Sequence, residues 1–332
     1  MKTGWCSIRQ KKTLACNAVA DLSVLIPIFN QDVTQLVHEL HQQCQQLQLL
    51  FEIRCYDDGS RQEIKETNRQ LNELPGVRYL ELKHNIGRAA IRNLMAQEAR
   101  YSHLLFLDND CLIADSDFIQ NYVKYSDSAY DAISGGTIYK DQKPPVNHLL
   151  RWKYGRAKEQ RSAAERSRNP FRSFTLNNLF IKKDVYLRYR LDESLLQYGH
   201  EDTKFGVVLE RAGVRLLHIE NPVIHIGLET AEIFLQKTKQ AIANLFQLYA
   251  YEGLCADTNL VKTYLRLKRM GLVKTYLRFF LRVKRKVMHN LHSAHPSLFW
   301  FDMYKLYLFA LYDTTAIGPT KNSEPIIKKT AK

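Results

Sequence analysis

Four groups of side chains in this sequence are of types and spacings that can do chemistry. Asp108-Asn109-Asp110 follows the apolar run His103–Leu107. Two carboxylates one residue apart suit a hard divalent cation, because Mg²⁺ and Mn²⁺ take carboxylate oxygens and share their other positions with phosphate. The same three residues also make an ordinary solvated turn. Asp57-Asp58-Gly59-Ser60 ends a second apolar run. It reads either as a turn built from turn-forming types, or as a carboxylate that accepts hydrogen bonds from a nucleobase N–H or a ribose hydroxyl. Glu201-Asp202 opens a helix, where first-turn acids complement the helix dipole. Two adjacent carboxylates also make a general base, since each discourages ionisation of the other. The dipole and the neighbour push the proton affinity in opposite directions, and the order of residues does not say which wins. His225, in Pro222-Val-Ile-His-Ile226, is a core histidine or, beside a metal, a third ligand.

The first half of the chain alternates between two periodicities. Leu22–Ile28, Phe51–Tyr56, Val77–Leu82 and His103–Leu107 read as strands, with a fifth at Asp131–Thr137. Between them, Val33, Leu36, Val37 and Leu40 recur at helical spacing, and Asn85-Ile-Gly87 opens a helix carrying Ala90, Ile91, Leu94 and Met95. Such alternation predicts a mostly parallel sheet covered on both faces. In such sheets ligands bind beyond the C-terminal ends of strands, and both acidic motifs lie there. The polar, basic stretch Lys143–Arg172 reads as a helix or a mobile flap. Phe174–Ile181 reads as another strand. A helix with Phe205, Val208, Leu209 and Ala212 on one face ends at Gly213, a C-cap position. Val214–Ile219 and Pro222–Ile226 are short and extended.

From about Ala231 onward the pattern is helical. Leu260-Val-Lys-Thr-Tyr-Leu-Arg266 recurs as Leu272-Val-Lys-Thr-Tyr-Leu-Arg278. On one continuous ideal helix the twelve-residue offset would place the copies on different faces, so they read as a local duplication. The tail from Pro319 reads as disordered.

Composition narrows the class. The chain has 332 residues, 45% apolar and 25% charged, which excludes wholesale disorder and a polytopic membrane protein. Its net charge of +14 points to an anionic partner. Most of that charge is local: from Thr258 to Phe301 there is no Asp or Glu, against ten Lys and Arg. These cations alternate with Leu, Val, Tyr and Phe, a pattern that fits either a solvated helical face or an interface with anionic lipid. None of the six cysteines forms a CxxC pair or has zinc spacing, which reads as a reduced, cytoplasmic compartment. No segment supplies about 18 uninterrupted apolar residues. The best candidate, Leu298–Ala310, is broken by Asp302 and Lys305.

Taken in order, these motifs resemble glycosyltransferase family 2, the inverting transferases of the GT-A fold. Ser23-Val-Leu-Ile-Pro-Ile-Phe-Asn30 is similar to the opening strand whose end contacts the nucleotide, at Pro27 and Asn30. Asp57 and Asp58 match the aspartates that bind base and ribose. Asn85-Ile-Gly87-Arg88 through Asn93 resembles the helix opening near the nucleotide, with Gly87, and with Arg88 and Arg92 as phosphate partners or structural arginines. Asp108 and Asn109 fall in the DxD that holds the ribose and the metal-diphosphate, and Asp110 would hold the metal, with His225 as a second ligand. Tyr198-Gly-His-Glu201-Asp202 looks like the motif that supplies the base, with Asp202 as base and Glu201 assisting.

The resemblance therefore implies an α/β GT-A catalytic domain over residues 21–230, after an N-terminal extension at 1–20. A basic helical extension at 231–318 and a tail at 319–332 follow. It implies an inverting enzyme that uses Mn²⁺ or Mg²⁺ to move a sugar from a nucleotide-diphosphate donor to a glycan or lipid-linked hydroxyl in envelope glycan synthesis. The protein would be peripheral at the inner face of the plasma membrane, on an anionic surface. Three other readings compete. A nucleotidyltransferase would follow its first strand with a Gly-rich, basic loop, whereas Pro27-Ile-Phe-Asn-Gln31 has neither Gly nor Lys. A nucleic-acid binder would suit the charge, but zinc spacing and RRM or KH signatures are lacking. The third is a catalytically inactive nucleotide-sugar scaffold.

Overall fold

The structure is a computed structural model that describes residues 21–194 and 199–315. The expected extension at 1–20, Tyr198 and the tail from 319 lie outside the described residues. The chain opens with β1 (Asp21–Ile28), α1 (Thr34–Gln46), β2 (Leu50–Asp57), α2 (Gln62–Arg69) and β3 (Val77–Glu81). It continues with α3 (Arg88–Glu98), β4 (His103–Leu107), β5 (Cys111–Ile113), α4 (Gln120–Val123), β6 (Ala132–Ser134) and β7 (Thr137–Tyr139). Then come α5 (Leu149–Tyr154), α6 (Ala163–Ser167), β8 (Asn178–Lys182), α7 (Lys183–Tyr189), α8 (Glu201–Arg211), β9 (Leu216–His218) and β10 (Val223–His225). Four helices end it: α9 (Ala231–Glu252), α10 (Asn259–Arg269), α11 (Val273–Leu291) and α12 (Leu298–Thr315).

Seven strands form one sheet in the order β3-β2-β1-β4-β8-β6-β9. The first four run parallel, and β8 is antiparallel to both its neighbours. β1 shows why its sequence is apolar without alternation. Leu22, Val24 and Ile26 pack on one side with Leu36, Val37 and Leu40 of α1. Leu25 packs on the other side with Met95 of α3 and Phe106, Tyr186 and Phe205. A central strand buried on both faces has no polar side to offer.

Two expected strands change form. Asp131–Thr137 is split: β6 joins the large sheet, and β7 joins a second, three-stranded sheet ordered β5-β10-β7. The break is Gly135-Gly136. A Cβ on Gly135 would lie 2.1 Å from the Tyr122 hydroxyl and 2.3 Å from the Asn221 carbonyl, so only glycine lets the chain cross there. Phe174–Ile181 starts as strand only at Asn178, and its Phe174 and Leu176 instead fill the core under α8. The basic stretch is helical: α5 runs into a π-helical turn at Gly155–Glu159, and α6 is fixed by a Ser162–Glu165 capping box.

A third apolar core joins α9 to α12 with Leu150 and Tyr154 of α5 and Val207 of α8. α12 lies inside it, with Phe301, Tyr304, Tyr307 and Phe309 buried in the bundle, while Phe299 in its first turn is exposed. The duplicated heptapeptide builds two helices, not one. Gly271 sits at φ 68° between them, and each copy starts its own helix. Val261 and Val273 are buried, as are Tyr264 and Tyr276, while Lys262, Lys274, Arg266 and Arg278 are exposed. The expectation that the copies face differently assumed an unbroken helix, and the glycine break removes that assumption. No helix among the described residues is long and apolar enough to cross a membrane.

Candidate active site

The C-terminal ends of β1 and β4 open onto a cleft of about 450 Å³. Pro27, Phe29, Asp58, Arg88, Arg92, Asp108, Asn109 and Asp110 line it from the sheet side. Gly227 and Glu229, between β10 and α9, and Lys237 on α9 line it from the opposite side. Seven residues singled out in the sequence meet at this cleft; Asn30, Asp57, Gly87, Glu201, Asp202 and His225 do not line it.

Asp57 is fully buried and spent within the protein. One oxygen accepts the Ser60 N–H at 2.7 Å, and the other accepts the Tyr79 hydroxyl at 3.0 Å. Asn30, at φ 53°, accepts the Arg61 N–H at 2.9 Å and donates its own N–H to Ser60 Oγ at 2.7 Å. Asp58 accepts the Ile86 and Gly87 N–H groups at 2.7 and 3.1 Å. Burial, helped by Asp57, raises its proton affinity despite those two bonds. Gly87 caps α3 at φ 92° and ψ 162°, a backbone region that is essentially glycine's alone. These four residues thus fix the turns that aim α3 at the cleft.

A charged relay crosses the cleft floor. Arg92, almost wholly buried, pairs with one Asp108 oxygen and donates to the Arg88 carbonyl at 3.1 Å. Arg88 lies 3.6 Å from the other Asp108 oxygen and 3.0 Å from Glu201 Oε1. The second Glu201 oxygen is buried and has no hydrogen-bond partner among the described residues. Next to it, burial first and the Glu201 charge second push the Asp202 carboxyl up to about 7, against Arg92 and Arg88, which favour the anion. Burial, not the helix dipole, therefore decides the question left open by the sequence. Among the described residues, Asp202 Oδ2 accepts the Leu176 N–H, at 3.3 Å. His200, just before the pair, is pushed down to about 4, by burial first and also by the Lys305 ammonium of α12, so it stays neutral at pH 7. From α9, Asn244 donates to the Gly199 carbonyl at 2.8 Å and holds this loop.

Asp110 and His225 meet because β5 and β10 pair: Cys111 faces His225 in register, and the Ile226 N–H donates to the Asp110 carbonyl at 2.9 Å. His225 Nδ1 is 3.4 Å from Asp110 Oδ1, a long contact, and that buried oxygen has no well-formed hydrogen bond among the described residues. Burial alone would raise the Asp110 carboxyl; His225, Arg88 and Arg151 hold it below its ordinary value. An anionic, orphaned oxygen at the cleft wall fits a divalent cation. Among the described residues no three His, Cys, Asp or Glu cluster around one point, so phosphate oxygens would have to complete the shell.

His225 is a weaker candidate than Asp110. Arg151, which can only donate, lies 3.4 Å from its Nε2, so the ring proton is assigned to Nδ1. In that tautomer the Nδ1 proton faces Asp110 and the Nε2 lone pair faces Arg151, so the nitrogen beside Asp110 has no lone pair for a cation. Three participants were not evident in the sequence: Gly227, Glu229 and Lys237. Lys237 pairs with Glu229, and its charge, with that of Arg151, overrides the burial that would raise the Glu229 carboxyl.

A Cβ on Gly227 would lie 2.1 Å from Asp110 Oδ2. Gly227→Ala is therefore expected to displace the carboxylate and to cost about 1–3 kcal/mol of stability, read by denaturant unfolding. It should also weaken any Mn²⁺-dependent nucleotide binding, read by calorimetric titration.

Comparison with known proteins shows what the chain is similar to. Residues 23–185 match the sequence model of Glycosyl transferase family 2. A chondroitin synthase from Escherichia coli is 26% identical over 235 residues, which is 61% of this chain but 34% of that protein. The chain thus matches about a third of this curated relative's length. Among solved structures, the mannosyltransferase PcManGT from Pyrobaculum calidifontis, in complex with GDP-Man and Mn²⁺, superposes with a TM-score of 0.53. It is 13% identical, and the match covers 88% of this chain and 87% of that one. TarS of S. aureus gives a TM-score of 0.47 at 16% identity, over 68% of this chain and 40% of its own. With the strand order, the DxD at the end of β4 and the family match in agreement, residues 23–185 form a glycosyltransferase family 2 domain and the chain has the GT-A fold.

Proposed function

We propose that the protein transfers a sugar from a nucleotide-diphosphate donor to a hydroxyl of a glycan or lipid-linked acceptor, with inversion, in envelope glycan synthesis. The observation that carries this reading is the relay Asp108–Arg88–Glu201, which ties the cleft to the start of α8, where the adjacent Asp202 has a raised proton affinity. A family relative named as a chondroitin synthase supports a glycan product.

Each residue then has a task. Asp202 takes the proton of the acceptor hydroxyl as that oxygen attacks the anomeric carbon, and a single displacement inverts the centre. Glu201, tethered to Arg88, keeps Asp202 basic through its charge. Arg88, Arg92 and Lys237 face the leaving diphosphate, whose charge they offset. Asp110, steadied by His225, would hold Mn²⁺ or Mg²⁺, which supplies Lewis-acid neutralisation of the diphosphate. Asp58 and Gly87 place the nucleotide's wall. Asp57 acts through the turn it fixes.

The test is a thermal-shift and donor-hydrolysis screen of the purified chain against UDP-, GDP- and dTDP-sugars, with Mn²⁺, Mg²⁺ or EDTA. One nucleotide family should raise the melting temperature and turn over, and EDTA should abolish both effects. Indifference to every donor under all three conditions would overturn the reading.

A further inference from the structure

The ten cations of the acid-free stretch are exposed, four on α10 and six on α11. Two are engaged: Lys268 pairs with Asp313 at 2.8 Å, and Lys284 lies over the Tyr307 ring. The other eight make no ion pair among the described residues. On α11, Lys274, Arg278, Arg282 and Arg285 fall within an arc of about 80° at 100° per residue. That arc is opposite the buried stripe of Val273, Tyr276, Phe280, Val287 and Leu291. α10 presents Lys262, Arg266 and Arg269 in the same way, outward from buried Val261 and Tyr264.

Apolar side chains stand among these cations. Leu281 is 57% exposed and flanks the α11 arc on one side, and Phe279, at 46%, flanks it on the other. Met270 and Leu272, exposed by 60% and 42%, project from the glycine turn that joins the helices. A solvated helical face has no use for four large apolar side chains placed at the edges of its charge. A nucleic-acid surface uses the cations but leaves Leu281, Met270 and Leu272 without partners, since phosphate contacts are polar. A bilayer with anionic headgroups satisfies both: headgroups take the cations, and the boundary with the acyl chains takes the apolar side chains.

We propose that the paired helices α10 and α11 form a surface that docks on an anionic lipid bilayer, and that the duplicated heptapeptide exists to present two copies of one lipid-facing pattern. Val and Tyr of each copy anchor it to the bundle, and Lys and Arg face out. The proposal does not depend on the transferase reading.

The experiment is co-sedimentation of the full chain with vesicles of phosphatidylcholine alone or with about 30% phosphatidylglycerol. Binding should require the anionic lipid and weaken with salt. Arg278→Gln/Arg282→Gln/Arg285→Gln should lower it by about a hundredfold, at roughly fivefold per cation. Leu272→Ser/Leu281→Ser should weaken it at unchanged net charge, with an unaltered melting curve for both variants. Donor hydrolysis in solution should be unaffected. Equal binding to both vesicles, no binding to either, or binding indifferent to Leu272→Ser/Leu281→Ser would overturn the proposal. So would salt-dependent capture of a duplex oligonucleotide in the absence of vesicle binding.

Discussion

Asp202→Asn should lower kcat by about a thousandfold and leave donor binding intact, because it removes the proton acceptor and little else. The substitution preserves shape, and an amide oxygen can still accept the Leu176 N–H. The pH dependence carries the sharper signature. With Asp202 pushed up to about 7, the base is ionised only above that value. Wild-type kcat/KM should fall tenfold per pH unit below about 7, and the residual rate of the variant should lack that limb.

Stability should move the opposite way. A carboxyl whose proton affinity is raised on folding contributes stability that is complete below its unfolded value, near 3.8, and lost as pH rises through about 7. The amide never ionises. Asp202→Asn should therefore melt higher than wild type at pH 8 and alike at pH 4. Full turnover in the variant would remove Asp202 from the mechanism, whatever the melting curves show.

Asp110→Ala is the second large effect. It deletes the anionic oxygen that stands at the cleft wall without a well-formed hydrogen bond among the described residues. Turnover should drop by about a thousandfold or more, since several kcal/mol of charge neutralisation at the leaving group go with it. Calorimetric titration of nucleoside diphosphate should then give the same affinity with Mn²⁺ and with EDTA. His225→Ala should cost only about 10–100-fold, the effect of a residue that orients a ligand. If the two variants were equally damaged, the proton placed on Nδ1 by Arg151 would be wrong and His225 would be a ligand outright. The distinction matters because both residues sit on the same small sheet and share a fate under any fold-disrupting change.

The main sheet was readable because its central strands are buried on both faces, and continuous apolar runs betray that. The acidic motifs were readable for a related reason: a run that stops abruptly at Asp57 or Asp108 marks a strand end, where sheets of this kind bind ligands. What the runs could not convey is which way a side chain turns. Asp57 and Asp58 are neighbours, yet one points wholly inward to Ser60 and Tyr79 while the other reaches the cleft. The second sheet escaped notice because its strands have three residues each, too few for a periodicity of two to register. Gly227 and Lys237 went unseen with it, because their roles depend on where β10 delivers the chain and not on any local pattern. The repeat was visible, but its geometry turned on the single residue Gly271.

The bond from Asn244 to the Gly199 carbonyl bears on how this enzyme can be divided. The loop that ends in His200, Glu201 and Asp202 is braced by α9, and Ala241 packs so closely that Gly199 admits no side chain. Lys237, one turn earlier on that face, reaches the donor cleft. A fragment cut at residue 230 would keep every acidic motif and lose the scaffold that holds the Glu201-Asp202 pair at its height above the sheet. α9 is thus a structural support of the loop before α8 and a wall of the cleft, so a graft of this chain onto another polypeptide must carry α9 with it.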